Sequence, residues 1–331
     1  MTHTDAVRIS VASDAAEARR IATYQAQQLK WSDVEIGTAN LLATELATNL
    51  AKHAQQGALV VTSYVTSGTG RLQLMAVDRG PGIEDLEACV RDGHSTAGSP
   101  GTGLGALGRM ATVFEMFSTP GKGTVAIAEM RQRSAASDAA SSWSVGAVCV
   151  PYPGERVCGD AWGFIGDASA ATVAVCDGLG HGPAAAAAAA AAKEALRDGP
   201  LDGPRAVVER MHSALRPTRG AAAAVATLTA QSVRYCGVGN ICASIVGPGR
   251  THALVSHAGT LGHSAQRVAE FDYPWTASST LVLHSDGISA HWKPEDWPGL
   301  WVRDPAIVAG ALYRDRTRGN DDATVVVVRP A

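Results

Sequence analysis

Apolar and polar positions alternate in AVRISVA near the start of the chain, where Val7, Ile9 and Val11 mark one face of a half-buried strand. The period then lengthens. SDAAEARRIATYQAQQL reads as a helix opening at a Ser13 cap, and SDVEIGTANLLATELATNLAKHA as a second helix with the same Ser-Asp start. Strands follow at ALVVTSYV and RLQLMAVD. A glycine-rich loop, a short helix, a second glycine-rich segment, a helix at LGALGRMATVF and a strand TVAIAEM close this half. Two helices packed on one face of a mixed sheet make an α+β domain. The other half is richer in strands: WSVGAVCV, AWGFIGD, ATVAVCD, AAAVATLTA, SVRYCGVGN, CASIVG, STLVLHSD and ATVVVV. Helical stretches interrupt them chiefly at 183–197 and 203–215. STLVLHSD and ATVVVV are continuously apolar, as central strands buried on both faces are, which predicts a second α+β domain, a sheet sandwich with helices outside.

Between the halves lies RQRSAASDAASS, polar and without period, which cannot contribute to a core. It divides the chain into a domain at 1–131, a linker at 132–142 and a domain at 143–331.

Composition narrows the class. The 331 residues are 46% hydrophobic and 18% charged, a globular balance. The net charge of −3, with no basic block, argues against nucleic acid as a partner. No apolar run reaches the roughly 18 residues of a spanning helix, and MTHTDAVRIS lacks the basic start and apolar core of a signal peptide. Six cysteines without a C-x-x-C pair, mostly inside apolar runs, are expected as buried free thiols. A cytoplasmic protein away from membranes is the expectation.

Chemistry in the first half is spread over four short segments. Glu45 and Asn49 are four apart and share a helix face, which His53 extends by a turn. The strand ending MAVD delivers Asp78 to DRGPGI, where Gly80 and Gly82 allow a close approach. Gly101, Gly103 and Gly105 lead into a helix whose N-terminal amides suit phosphates. GKGT, ending at Thr124, precedes the last strand. This ordered set resembles the nucleotide-binding fold of gyrase, histidine kinases and anti-sigma serine kinases, the Bergerat or GHKL α/β sandwich, over nearly all of residues 5–130. DG-x-ST followed by GLG is most similar to the small serine/threonine switch kinases of the RsbT type. That resemblance implies ATP, Mg²⁺ on its phosphates held by Asn49, the adenine amino group bound by Asp78, and Glu45 as the base that takes a proton from a substrate hydroxyl.

In the second half the aspartates stand at strand ends: Asp160 in CGDAWGF, Asp177 and Gly178 in VCDGLGHG, Asp286 in HSDGIS, Asp321 and Asp322 in NDDAT. Carboxylates gathered at one sheet end repel one another and call for cations. Oxygen donors alone select Mg²⁺ or Mn²⁺ rather than zinc. The order of these segments resembles the SpoIIE branch of metal-dependent protein phosphatases, with DGLGHG similar to the RsbX type, over roughly 143–330. The resemblance implies an α-β-β-α sandwich and two ions. Asp177 would bridge them, Gly178 contribute its carbonyl, Asp160 support one ion, and Asp286 and Asp321 hold the other, with Asp322 the alternative beside Asp321. After the first G-D the branch typically carries an aromatic pair and a second acid, where this chain reads AWGF. His181 could be a general acid or a turn and cap before Pro183; Trp292, Trp297 and Trp301 could face a partner or close a loop over the core.

The two resemblances imply a kinase and a phosphatase in one chain, acting on STAS-domain regulators of the RsbS and RsbR type, with an activated phosphatase or a sigma-factor pathway protein as a further partner. Two rival readings remain at this stage. In one, the first domain is an ATP-gated module that sequesters a sigma factor or activator. In the other, the nucleotide regulates the phosphatase in cis.

Overall fold

The computed structural model describes residues 2–66, 68–86, 103–132, 142–198, 202–265 and 267–331. The chain folds as two units, Met1–Asp138 and Ala139–Ala331. Most of the expected linker, the short helix expected between the glycine-rich segments, DG-x-ST and Gly101 lie outside the described residues.

The first unit has five strands, β1 (His3–Ile9), β2 (Gly57–Thr66), β3 (Thr69–Val77), β4 (Val113–Thr119) and β5 (Gly123–Arg131), in the order β1-β2-β3-β5-β4. Every pairing is antiparallel, so the mixed sheet expected from sequence is corrected. Helices α1 (Ala15–Gln28), α2 (Asp33–His53) and α3 (Gly103–Met110) accompany it. Ala18, Ala22 and Ala26 of α1 and Leu42, Leu46 and Leu50 of α2 recur at helical spacing and bury against Leu59, Val61, Leu72, Leu74, Ala126 and Ala128, which alternate along the strands. Ser32 caps α2 as read: its hydroxyl accepts the Glu35 N–H and the Glu35 carboxylate accepts the Ser32 N–H at 2.9 Å. Ser13 does not cap α1. It lies inside a single 3₁₀ turn, and the Asp14 carboxylate takes the N–H groups of Ser10 and Val11 instead. LGALGRMATVF is not one helix either: α3 stops at Met110 and the chain turns into β4, where Phe114 and Met116 pack on the core.

The second unit stacks two sheets. One has the order β13-β10-β9-β8-β7, with β14 beside β10; the other has the order β12-β11-β15-β16-β6. The strands are β6 (Trp143–Val150), β7 (Asp160–Gly166), β8 (Ala170–Gly178), β9 (Ala221–Thr229), β10 (Ser232–Val238), β11 (Cys242–Gly247), β12 (Arg250–Ala253), β13 (Ser256–His257), β14 (Phe271–Pro274), β15 (Thr280–His284) and β16 (Ala323–Pro330). Helices α4 (Pro183–Arg197) and α5 (Pro204–Leu215) lie on the first sheet and α6 (Pro305–Arg316) on the second. The continuously apolar β15 and β16 are interior strands. The short β12, β13 and β14 carry no apolar run and escape a pattern reading.

Helix α6 is the larger omission. Its residues are buried on almost every side, so PAIVAGALYRDR shows no amphipathic period. The Asp304-Pro305 start is its one legible signal: the Asp304 carboxylate accepts the Ala306 N–H at 2.8 Å. Gly146 lets this helix touch β6, since a Cβ there would fall 2.0 Å from the Ala306 nitrogen.

Alanine makes α4 thin. Ala188, Ala189 and Ala192 are fully buried, and Gly178 faces Ala185 so closely that a Cβ would meet its carbonyl oxygen at 2.1 Å. The five described cysteines are free; Cys149, Cys176 and Cys236 are buried, and Cys158 and Cys242 half-buried. The tryptophans pack on each other. Trp292 stacks on Trp301 with centroids 5.8 Å apart, and Trp297, 2% exposed, donates its indole N–H to Asp315 at 2.6 Å.

Candidate functional site

The carboxylates of the second unit come to one end of its sheets. β7 begins at Asp160 and β8 ends at Asp177-Gly178, and the register sets Asp160 directly opposite Asp177. Asp286 follows β15 and Asp321 precedes β16, and these two strands pair as neighbours. The four aspartates thus arrive from four strands and two sheets, as their place at the ends of apolar runs predicts.

Their electrostatics record the crowding. Burial, and then the charges of Asp286 and Asp321, push Asp177 up to about 7. Burial and the neighbouring Asp177 raise Asp160 well above the ordinary carboxylate range. Burial also raises Asp321, with Asp286 and Asp322 adding to it. Negative groups that hold one another's protons in this way form a site for positive charge. The donors are oxygens throughout, which fits Mg²⁺ or Mn²⁺ by type. Among the described residues, no three His, Cys, Asp or Glu side chains close around one point. Asn240 lies between the carboxylates instead: its side-chain N–H donates to Asp286 at 2.7 Å, and it also hydrogen-bonds Asp177.

Three residues of this site escape a sequence reading. Asn240 sits in GVGN between β10 and β11, and the residue type alone does not separate it from a turn asparagine. The buried Ser285 hydroxyl donates to Asp160 at 2.7 Å and accepts the Thr324 N–H at 3.0 Å, fixing the first aspartate to both β15 and β16. Glu155 binds His181 at 2.9 Å. Asp321 and Asp322 have different surroundings. Asp321 is half-buried beside Asp286. Asp322 is 2% exposed and accepts the Tyr152 N–H at 2.8 Å, and its other oxygen is buried without a partner against Gly159. His181 is not the cap of α4; that position is Gly182.

In the first unit, α2 carries Glu45 and Asn49, both half-buried, and the exposed His53 along one face. At the end of β3 the Asp78 carboxylate accepts the Gly80 N–H at 2.7 Å. A Cβ at Gly80 would lie 3.1 Å from the His53 carbonyl oxygen, so the C-terminus of α2 and the Asp78 loop abut. Gly82, at φ +73°, and Gly123, at φ +98°, leave no room for a side chain: a Cβ would fall 2.4 Å from the Thr119 oxygen and 2.0 Å from the Asp78 oxygen respectively. Thr124 accepts the Asp78 N–H through its carbonyl, and its hydroxyl pairs with Ser118 at 3.0 Å. The structure thus joins the end of α2, Asp78, Gly80 and Thr124. Gly103 opens α3, and Gly105 is half-buried in its first turn. A fixed carboxylate beside close-packed glycines fits a nucleotide base in type.

Comparison with known proteins agrees with both halves. Residues 10–128 match the model of the histidine kinase-like ATPase domain, and residues 167–330 that of stage II sporulation protein E. The serine/threonine-protein kinase RsbT of Bacillus subtilis (strain 168) is 32% identical over 124 residues, 38% of this chain and 93% of that protein. A chain solved in work on the bacterial stressosome, as a modular system adapted to control secondary messenger signalling, aligns at TM-score 0.53 and 27% identity. That alignment covers 56% of this chain and 99% of the other. RsbX in complex with magnesium aligns at TM-score 0.49 and 22% identity, over 57% and 96% of the two chains. Among the described residues no helix is long and apolar enough to cross a membrane. The chain belongs to the family of RsbT through its N-terminal histidine kinase-like ATPase domain, and joins to it a C-terminal domain that matches the SpoIIE family.

Proposed function

We propose that the chain sets the phosphorylation state of a STAS-domain regulator from both directions, as an ATP-dependent serine/threonine kinase and a Mn²⁺- or Mg²⁺-dependent phosphoserine/phosphothreonine phosphatase. The observation that carries the reading is the arrival of Asp160, Asp177, Asp286 and Asp321 at one end of the sandwich, mutually repelling, with Asn240 between two of them. Asp177, the Gly178 carbonyl, Asp286, Asp321 and Asp160, the last fixed by Ser285, would hold the ions. Bound there, such ions supply an activated water and neutralise a phosphoryl group. Asp322 serves the loop that carries Tyr152.

In the kinase, Asp78 would accept from the adenine amino group and Asn49 would hold Mg²⁺ on the phosphates. Gly80, Gly82, Gly101, Gly103, Gly105, His53 and Thr124 would line the nucleotide. Glu45, half-buried on the same helix face as Asn49, would take the proton of the acceptor hydroxyl. Identity with RsbT over nearly its whole length supports this half of the reading. The cell compartment implied is the cytoplasm, where ATP and such regulators reside.

The test is release of phosphate from a phosphorylated STAS-domain protein by the full chain. Activity is expected to vanish in excess chelator, to return with added Mn²⁺ or Mg²⁺, and to be lost in Asp177→Asn. Phosphate release that survives both chelator and substitution would end the phosphatase reading.

A further inference from the structure

Two thiols stand against the carboxylate site, and the roles assigned above leave both unused. Cys149 lies on β6 and is buried; Cys158 is half-buried in the loop ahead of β7, next to Val157, which is exposed. Their sulfurs lie 3.4 Å apart, and the Cys149 Sγ is also 3.7 Å from the Asp160 carbonyl oxygen. Among the described residues no other pair of cysteines touches. Two sulfurs already in contact, one of them reachable from solvent, need only a small approach to bond.

The backbone around them has no slack. Cys158 is two residues before Asp160, and Gly159 between them packs on Asp322, where a Cβ would fall 2.5 Å from Oδ2. The Gly159 carbonyl accepts the Gly178 N–H at 3.0 Å. On the other side, Cys149 is the register partner of Thr324, whose N–H donates to the Ser285 hydroxyl that holds Asp160. An S–S bond is about 2.0 Å long, so forming one draws Cys158 towards β6 and carries Gly159 and Asp160 with it. The strand ends that present Asp160 and Asp177 would then shift against each other.

We propose that Cys149 and Cys158 form an oxidation site for a small hydroperoxide, and that the disulfide made there disables the neighbouring carboxylate site reversibly. The loss of activity rests on the phosphatase reading of that site. One sulfur attacks a peroxide oxygen, the O–O bond breaks, and the thiol becomes a sulfenic acid as one water leaves. The second sulfur attacks the sulfenic sulfur, the S–O bond breaks, and a second water leaves with the remaining protons. Two thiols are oxidised by two electrons and one peroxide is reduced to two waters. A dithiol reductant reverses the bond by exchange.

The experiment treats the metal-free full chain with hydrogen peroxide, removes the peroxide, and adds Mn²⁺. Peptide mapping by mass is expected to find Cys149 joined to Cys158. Release of phosphate from para-nitrophenyl phosphate should fall roughly ten- to a hundredfold, the usual effect of disturbing groups that orient metal ligands, and return with dithiothreitol. Cys158→Ser and Cys149→Ser should each keep their activity after the same treatment. A treated protein without the link, a linked protein with undiminished activity, or a loss that persists in both serine variants would overturn the proposal. Should either variant be inactive before treatment, recovery of the linked wild type by dithiothreitol still decides. Failure of the phosphatase reading is a separate result: Asp177→Asn would then retain activity, whatever the mass of the linked peptide.

Discussion

Asp160 and Asp177 face each other across the β7–β8 ladder, two carboxylates as direct register partners at the end of a sheet. Neither has a cationic side chain as its hydrogen-bond partner among the described residues. Asp160 is held by Ser285, and Asp177 by Asn240. Their repulsion is a cost that the fold carries and that the proposed cations would relieve.

That cost is measurable. In chelator, Asp177→Asn should raise the unfolding temperature of the second domain, because one member of a repelling cluster becomes neutral. Adding Mn²⁺ or Mg²⁺ should stabilise the wild-type domain by mass action and the variant far less. Differential scanning calorimetry of the full chain reads both. A variant destabilised in chelator, or a wild type indifferent to metal, would contradict the arrangement.

Asn240 should matter without binding metal itself. Asn240→Ala removes the side chain that joins Asp177 to Asp286. Loss of a group that orients ligands typically weakens metal binding roughly ten- to a hundredfold. Titration of the apo protein with Mn²⁺, followed calorimetrically, checks this, with unchanged affinity as the opposing result.

The aspartates were legible because each interrupts an apolar run at a strand end, and a sheet brings such ends together. Asn240 and Ser285 were not, because their contribution is a hydrogen bond across elements distant in sequence, which no local pattern encodes. The same divide holds in the fold. Amphipathic α1 and α2 are readable, whereas α6, buried nearly all round, lacks a period, and the apolar pattern of β4 runs on from the helix before it. His181 was visible as a residue but ambiguous as a role; Glu155, 26 positions earlier, decides its orientation.

Gly178→Ala should disable the phosphatase domain mechanically. The added methyl would lie 2.1 Å from the Ala185 carbonyl, so α4 must move off the sheet at the point where Asp177 is presented. Overpacking of this kind costs on the order of 1–3 kcal/mol or more. The thermal transition of the second domain should fall and its phosphatase activity with it, while ATP binding by the first domain persists. An unshifted transition would show that the close helix-to-strand contact is absent.

Asp78→Asn should weaken ATP. The carboxylate that would accept the adenine amino proton becomes an amide that can present a donor there. Loss of one charge-assisted hydrogen bond is on the order of 1.5–3 kcal/mol, about ten- to a hundredfold in affinity. Isothermal titration with ATP and Mg²⁺ gives the number, and equal affinities would remove Asp78 from the nucleotide site.

The central claim is that one chain carries two opposed activities, and Glu45 tests it most directly. Label transfer from γ-labelled ATP to the STAS-domain protein that co-purifies with the chain is measured in Asp177→Asn, so that product is not erased as it forms. It is then measured in the Glu45→Ala, Asp177→Asn double variant. The account predicts strong labelling in the first, a fall of roughly 10²–10⁴ in the second, and ATP binding retained in both. Equal labelling in the two would remove Glu45 from catalysis. No labelling in either, with a tight ATP-dependent complex in its place, would contradict the kinase and leave a sequestering module beside a phosphatase.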